Sequence, residues 1–184
     1  ADQSTVCLGD EIQLTGDAQP VEFQEECAFP VSGETFLPDG SGVSYSTSIN
    51  VDCFNDDQTI SSANDIIEVC INIEHSYLGD LDIELVSPSG ESVDLHTQAG
   101  NSANLGIPWA TGTIDNDSFN TTPGEGSQYC FVPDSSNPTL FGGVQTGGTF
   151  PDGDGPGTYT DSFVQAGNYS PVSPFSSLVG SSLN

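Results

Sequence analysis

Acidic residues on turn-rich segments are the side chains of this sequence best suited to chemistry. They are Asp80 and Asp82, Asp115 and Asp117, Asp152 and Asp154, together with Asp39. Ca²⁺ takes about six to eight oxygen ligands from carboxylates, carbonyls and water. The acids therefore predict a calcium site, although none of the pairs extends into an EF-hand loop with its terminal Glu. The alternative interpretation is that they cap turns through neighbouring backbone amides.

The two histidines, His75 and His96, give no clear enzymatic pattern. Zinc would need further nitrogen or sulfur ligands at matching spacing. Serine and aspartate are abundant, so the sequence does not select a Ser-His-Asp triad, and it contains no Gly-x-Ser-x-Gly elbow. Asp80 and Asp82 share one strand face, whereas glycosidases need acids opposed across a cleft. We predict that the histidines hold loops and that the chain is not an enzyme.

Five cysteines are present, Cys7, Cys27, Cys53, Cys70 and Cys130, and none lies in a Cys-x-x-Cys motif. With so few apolar residues and so many turns, disulfides formed in an oxidising compartment are the favoured use. Spacing leaves the connectivity open. The pairing that we predict is Cys7–Cys27 and Cys70–Cys130, with Cys53 left over.

The charge balance excludes several classes of partner. The chain of 184 residues has 27 Asp and Glu but no Lys or Arg. Phosphate binding needs cationic side chains, so nucleic acid and anionic membrane surfaces are implausible partners. No apolar run is long enough for membrane insertion. Repulsion among the carboxylates must oppose compaction, and salt or divalent cations should relieve it.

The elements that must position these residues are short strands. Apolar residues alternate with polar ones through the central block, at Ile67, Val69, Ile71 and Ile73, then at Leu81, Ile83 and Leu85, and then at Val93 and Leu95. A period of two predicts strands with one buried and one wet face. Residues 45–51 and 128–132 are further strand candidates, and residues 133–157, rich in Gly, Pro and Asp, predict an extended loop.

Two units are predicted along the chain. Residues 1–32 form an N-terminal extension or part of a neighbouring immunoglobulin-like module, because Cys7-Leu8-Gly9-Asp10 precedes an alternating strand pattern. Residues 33–184 form the main domain. Its many strands and turns predict an all-β, jelly-roll-like antiparallel β-sandwich.

Several motifs carry a family resemblance: Leu37-Pro38-Asp39-Gly40, Val69-Cys70-Ile71-Asn72-Ile73, Glu74 to Asp82, Ser87-Pro88-Ser89-Gly90, Val93-Asp94-Leu95-His96, Tyr129-Cys130, and Pro174-Phe175-Ser176-Ser177-Leu178. Together they resemble the P domain (Homo B domain) that follows the catalytic domain of kexin- and furin-like proteases. Residues 37–184 resemble the version found in secreted and surface proteins of gliding and marine bacteria.

The resemblance implies a non-catalytic β-sandwich in which His75, Tyr77, Gly79 and Asp80 form a structural turn. P domains normally continue into a Gly-x-Trp strand and a terminal strand, whereas the sequence ends at Asn184, before that continuation. The resemblance therefore implies a C-terminally incomplete sandwich with missing or partner-supplied edge strands. The expected partners are neighbouring domains of a parent protein, or other copies of the chain, by strand addition.

The function predicted from the sequence is that of a calcium-stabilised module in a large secreted or cell-surface bacterial protein, with a structural, adhesion or assembly role. The alternative is the stabilising P domain of a secreted kexin-like serine protease. Glycans are a further partner to consider, because Trp109 and nearby aromatic residues could stack on sugar rings.

Overall fold

The computed structural model describes residues 31–38, 42–51, 53–55, 57–109, 122–153 and 155–183. The described residues form eight strands: β1 Val69–Ile73, β2 Ile83–Val86, β3 Ser92–His96, β4 Asn104–Leu105, β5 Ser127–Phe131, β6 Val144–Pro151, β7 Thr158–Val164 and β8 Gly167–Tyr169. Short 3₁₀ turns lie at Ala63–Asp65, Leu78–Asp80, Phe141–Gly143 and Phe175–Leu178. None of the described helices could cross a membrane.

The strands form three small sheets. Strand β5 lies between β1 and β8, β7 lies between β4 and β6, and β2 pairs with β3. The β1–β5, β2–β3 and β6–β7 pairs are antiparallel, whereas β4–β7 and β5–β8 are parallel. This arrangement confirms the predicted all-β sandwich.

The core joins these sheets through alternating inward side chains. Fully buried residues include Val93 on β3, Leu105 on β4 and Phe131 on β5. Tyr129 on β5 is also fully buried, and its hydroxyl donates to the Val164 carbonyl of β7 at 3.0 Å and accepts from the Gly106 amide at 2.7 Å. Burial raises the pKa of this phenol. Tyr129 therefore ties two sheets together through one satisfied buried hydroxyl.

The alternating pattern of the central block correctly predicted β1, β2 and β3, and the separate strand candidate at residues 128–132 corresponds to β5. Val69 and Ile71 pair with Phe131 and Tyr129 on the inner face, as a period of two requires. Cys70 lies opposite Cys130 on the other face. The longest strand, β6, was not predicted, because residues 133–157 were interpreted as a loop.

Glycines explain the unpredicted strand. The β6–β7 register shifts between Gln145 and Gly148, and Gly147 has a φ of +85°. A Cβ at Gly148 would lie 2.6 Å from the Phe163 ring. A glycine inside a strand often marks a bulge or the close approach of another segment. The glycine-rich composition of residues 133–157 therefore resembled that of a loop.

The predicted strand at residues 45–51 takes no part in a described sheet. Residues 42–50 have no ladder partner, and only Val51 forms a bridge. Their alternation fits a strand, but a strand also needs a neighbour that satisfies its backbone N–H and C=O groups.

The predicted bond between Cys70 and Cys130 is present and joins β1 to β5 across 60 residues of sequence. Cys53 is also disulfide-bonded, which contradicts the prediction that it is the left-over cysteine. Spacing could not reveal this, because connectivity depends on which thiols the fold brings together. The predicted Cys7–Cys27 bond lies outside the described residues, as does nearly all of the predicted unit 1–32.

Candidate functional site

The segment His75–Asp82 forms a tight connection between β1 and β2, held by backbone hydrogen bonds. His75 and Leu105 exchange two, with N···O distances of 3.1 and 2.9 Å. The Leu78 amide donates to Ala103 and the Gly79 amide to Asn101, both at 2.9 Å. The segment is therefore fastened along its length to residues 101–105.

Packing below the turn leaves little room. The Leu78 side chain is fully buried. It lies against Gly100, whose φ of +109° favours glycine and where a Cβ would be 2.5 Å from Leu78 Cδ2. A Cβ at Gly79 would be 2.9 Å from the Asn101 nitrogen. The two loops thus approach so closely that neither position has room for a side chain larger than that of glycine.

The geometry of His75 suits a turn better than a catalytic triad. Its Nδ1 accepts a hydrogen bond from the Tyr77 amide at 3.0 Å. In a triad, Nδ1 instead donates its proton to a carboxylate. The other nitrogen, Nε2, lies 3.7 Å from Asp80 Oδ1, at an exposed carboxylate. The imidazole thus bridges two residues of its own turn.

His96 supports the same turn from beneath. It is 1% exposed, and its Nε2 lies 3.2 Å from the Leu78 carbonyl, which fixes Nε2 as the donor. Its Nδ1 is buried without a hydrogen-bond partner. Burial lowers the pKa of His96 below 6.5; the Leu78 and Ala99 carbonyls and the Asp82 carboxylate oppose that shift. The fold therefore favours the neutral imidazole.

Protonation of His96 should weaken the fold. Because its pKa is lower in the folded chain, the unfolded chain binds the proton more readily, and stability falls as the pH drops through and below 6.5. We expect the free energy of unfolding to decrease between pH 7.5 and 5 in the wild-type chain and to change less in His96→Gln. Urea denaturation at each pH measures it.

His75→Gln is the control for this pH dependence, because it removes the other imidazole and leaves His96. An NMR titration of the folded chain that gave His96 a pKa above its ordinary value would contradict the expectation.

The predicted calcium ligands are only partly described by the structure. Asp39, Asp115, Asp117 and Asp154 lie outside the described residues. Asp80 and Asp82 flank the end of the 3₁₀ turn, and both are exposed. Asp82 Oδ1 accepts from the Gln98 amide at 3.0 Å.

Asp152 is half-buried and closes a different turn with its backbone. Its amide donates to Gly157 and its carbonyl accepts from Gly155, both at 3.1 Å. These backbone contacts are those of turn capping.

One group of three potential metal ligands lies within 4.8 Å among the described residues: Glu68, Cys70 and Cys130. The two sulfurs form the disulfide, so they do not offer thiolates. The described acids alone thus assemble no close cluster of three carboxylates. Any calcium site would have to combine pairs of acids with carbonyl and water oxygens.

Two acidic features were missed in the sequence. Glu91 Oε2 accepts from the hydroxyls of Ser87, Ser89 and Ser181. Hydrogen bonds, chiefly those from Ser87 and then Ser89, lower the pKa of Glu91 from 4.5 to about 2. Serines four and two residues before Glu91 were the available signal.

Glu84 and Asp94 lie opposite each other on β2 and β3. Like charges at such positions are unfavourable, and register was needed to find this pair.

Trp109, the residue considered for sugar stacking, lies beside the Asp152 turn. It is half-buried and packs against Gly153, where a Cβ would lie 2.4 Å from indole Cε2. The Gly153 amide donates to the Trp109 carbonyl at 2.8 Å. The indole thus covers the base of the Asp152 turn.

Comparison with known proteins identifies one family. Residues 65–121 match the model of the proprotein convertase P-domain. The match begins before β1 and contains the His75–Asp82 turn and strands β1 to β4. It confirms the P-domain resemblance. No curated protein and no solved structure matches the chain.

Proposed function

From the P-domain match of residues 65–121, we propose that the protein is a non-catalytic structural module of a larger secreted or cell-surface protein. The P domain is a stabilising, non-catalytic domain of proprotein convertases, which are secreted proteins. The module would act by holding neighbouring parts of a parent protein together. Its role would be stability, adhesion or assembly.

The observation that carries this proposal is the construction of the His75–Asp82 turn. His75 uses both its backbone and its Nδ1 within the turn and its partner strand, while Leu78 and His96 are buried beneath it. The most recognisable residues of the chain thus contribute to packing and hydrogen bonding. An isolated chain that hydrolysed peptide or glycan substrates, with loss of activity in His75→Gln, would overturn the proposal.

Calcium is the cofactor that we propose for the module. With no Lys or Arg in the chain, only the two histidine side chains can supply positive charge to 27 acids. The cross-strand pair Glu84 and Asp94 illustrates the resulting repulsion. Ca²⁺ held by Asp80, Asp82 or Asp152, with acids outside the described residues, would lower that repulsion and favour the folded state by mass action.

Calcium should raise the melting temperature. At a free Ca²⁺ concentration about one hundred times the dissociation constant, calcium binding to the folded chain adds about 2.7 kcal/mol to the free energy of unfolding. For a chain of this size, that corresponds to roughly 5–10 °C. Calorimetry in low-salt buffer with EDTA, then with excess CaCl₂, measures the change, and Mg²⁺ and NaCl at matched ionic strength separate site binding from screening.

The double variant Asp80→Asn/Asp82→Asn tests which acids take part in calcium binding. If the His75–Asp82 turn binds calcium, this variant loses part of the calcium-induced increase in melting temperature, whereas Glu84→Gln keeps the full increase. A melting temperature that responds equally to CaCl₂ and to NaCl of the same ionic strength would contradict the calcium proposal.

The alternative function is that of the stabilising P domain of a kexin-like serine protease. The family match supports it, because its description is that of proprotein convertases. Flanking coding sequence discriminates between the two functions. A subtilisin-like segment upstream would favour the protease, whereas repeats or a surface-sorting signal would favour the surface module.

A further inference from the structure

Residues 42–51 carry a strand pattern, and in the part of the chain that the structure describes residues 42–50 have no strand partner. Val43, Tyr45, Thr47 and Ile49 alternate with serines, which gives one apolar and one polar face. Val43, Tyr45 and Ile49 are 55%, 43% and 51% exposed. We call this stretch the 42–51 segment.

The 42–51 segment is held at both ends. Before it, Leu37 packs against the hydrophobic core. After it, Cys53 is disulfide-bonded, and Ile60 exchanges backbone hydrogen bonds with Gly180 and Ser181 at 2.8 and 3.0 Å. The segment is thus a tethered stretch of the domain, which lowers the entropy lost when another strand pairs with it.

Hydrogen bonds of Tyr45 further restrain the 42–51 segment. Hydrogen bonds with Thr35 and Thr47 lower the pKa of its hydroxyl. They bring residue 35 beside the segment, next to Phe36, whose side chain is 51% exposed. The Tyr45 hydroxyl therefore helps to hold the 42–51 segment beside residue 35.

The segment is complementary to itself. If two copies pair antiparallel with Ser46 opposite Ser46, Val43 lies opposite Ile49 and Tyr45 lies opposite Thr47. All four are on one face of the ribbon. Such a pairing is isologous, since each contact occurs twice around one twofold axis.

Charge selects where such a contact can form. The chain carries 27 acids and no Lys or Arg, so two copies repel each other over most of their surfaces. The 42–51 segment has no charged residue. It offers an uncharged stretch with an apolar face at which two copies can meet.

We infer that the 42–51 segment binds the same segment of a second copy of the chain as an antiparallel strand pair, centred on Ser46. The interface is small, so association is weak and depends on the screening of carboxylates elsewhere. Salt therefore strengthens it, whereas salt would weaken binding to a cationic partner.

Sedimentation velocity of the full chain, with EDTA present throughout, tests the inference. We expect the dimer association constant to rise about tenfold between about 0.1 and 1 M NaCl, as the screening length shrinks from roughly 10 to 3 Å. Tyr45→Ser/Ile49→Ser should weaken the dimer about tenfold at each salt concentration, because its apolar contacts are lost. Val86→Ser is the matched control, because Val86 on β2 is 54% exposed but lies elsewhere.

Cross-linking fixes the register independently. In Ser46→Cys, oxidation should give a disulfide-linked dimer, because the two thiols face each other. In Ser44→Cys the thiols lie opposite Ser48 and are too far apart. The wild-type chain measures any background from its odd cysteine. A chain that stays monomeric in high salt, equal dimerisation of the serine double variant and Val86→Ser, or equal cross-linking of both cysteine variants would overturn the inference.

Discussion

Replacing Cys70 and Cys130 together with alanine is expected to lower the free energy of unfolding by about 4 kcal/mol. The bond closes a loop of 60 residues, and restriction of so long a loop removes much conformational freedom from the unfolded chain. For a chain of this size, the melting temperature should fall by roughly 8–16 °C. Urea denaturation and calorimetry measure the two quantities.

The control for the disulfide is the adjacent cross-strand pair. Asn72 and Gln128 lie opposite each other on the same strands and are exposed. Their joint replacement by alanine truncates two side chains without breaking a covalent link, and should cost less than about 1 kcal/mol. Similar losses in both double variants would show that contacts of the β1–β5 pair, and not loop closure, account for the effect.

Leu78→Ala is expected to lower the free energy of unfolding by about 3 kcal/mol. The side chain is fully buried within the His75–Asp82 turn, so its truncation removes apolar contacts and leaves a cavity against Gly100. The melting temperature should fall by roughly 6–12 °C. Urea denaturation of the variant measures the loss.

Val86→Ala provides the matched control, because Val86 is exposed on β2 and should change stability by less than about 0.5 kcal/mol. The size of the Leu78 effect bears directly on function. A loss below about 1 kcal/mol would mean that the turn contributes little to the fold, and the structural role proposed for it would have to be abandoned.

The sequence was sufficient for those parts of the fold whose signal is local. Alternation in the central block predicted β1 to β3, and placing Cys70 and Cys130 on strands predicted their bond. Strand β6 was missed because Gly147 and Gly148 form a bulge that composition cannot distinguish from a loop.

The candidate site was less predictable, because its defining contacts join distant residues. His96 lies 18 residues from Leu78, and burial of its imidazole depends on the packing of β3 beneath the turn. The opposition of Glu84 and Asp94 depends on register, which a one-residue slip would change. Calcium remains a prediction for the same reason, since a site requires oxygens from several loops.

The bond between Cys70 and Cys130 also determines what a single backbone cut can do. The covalent ring that it closes contains β2, β3, β4 and most of the family-matched residues. A protease that nicks the chain once inside this ring produces two pieces that remain linked through sulfur. Release of a fragment would need a second cut or a reductant, so the module can be damaged in this region without being shed.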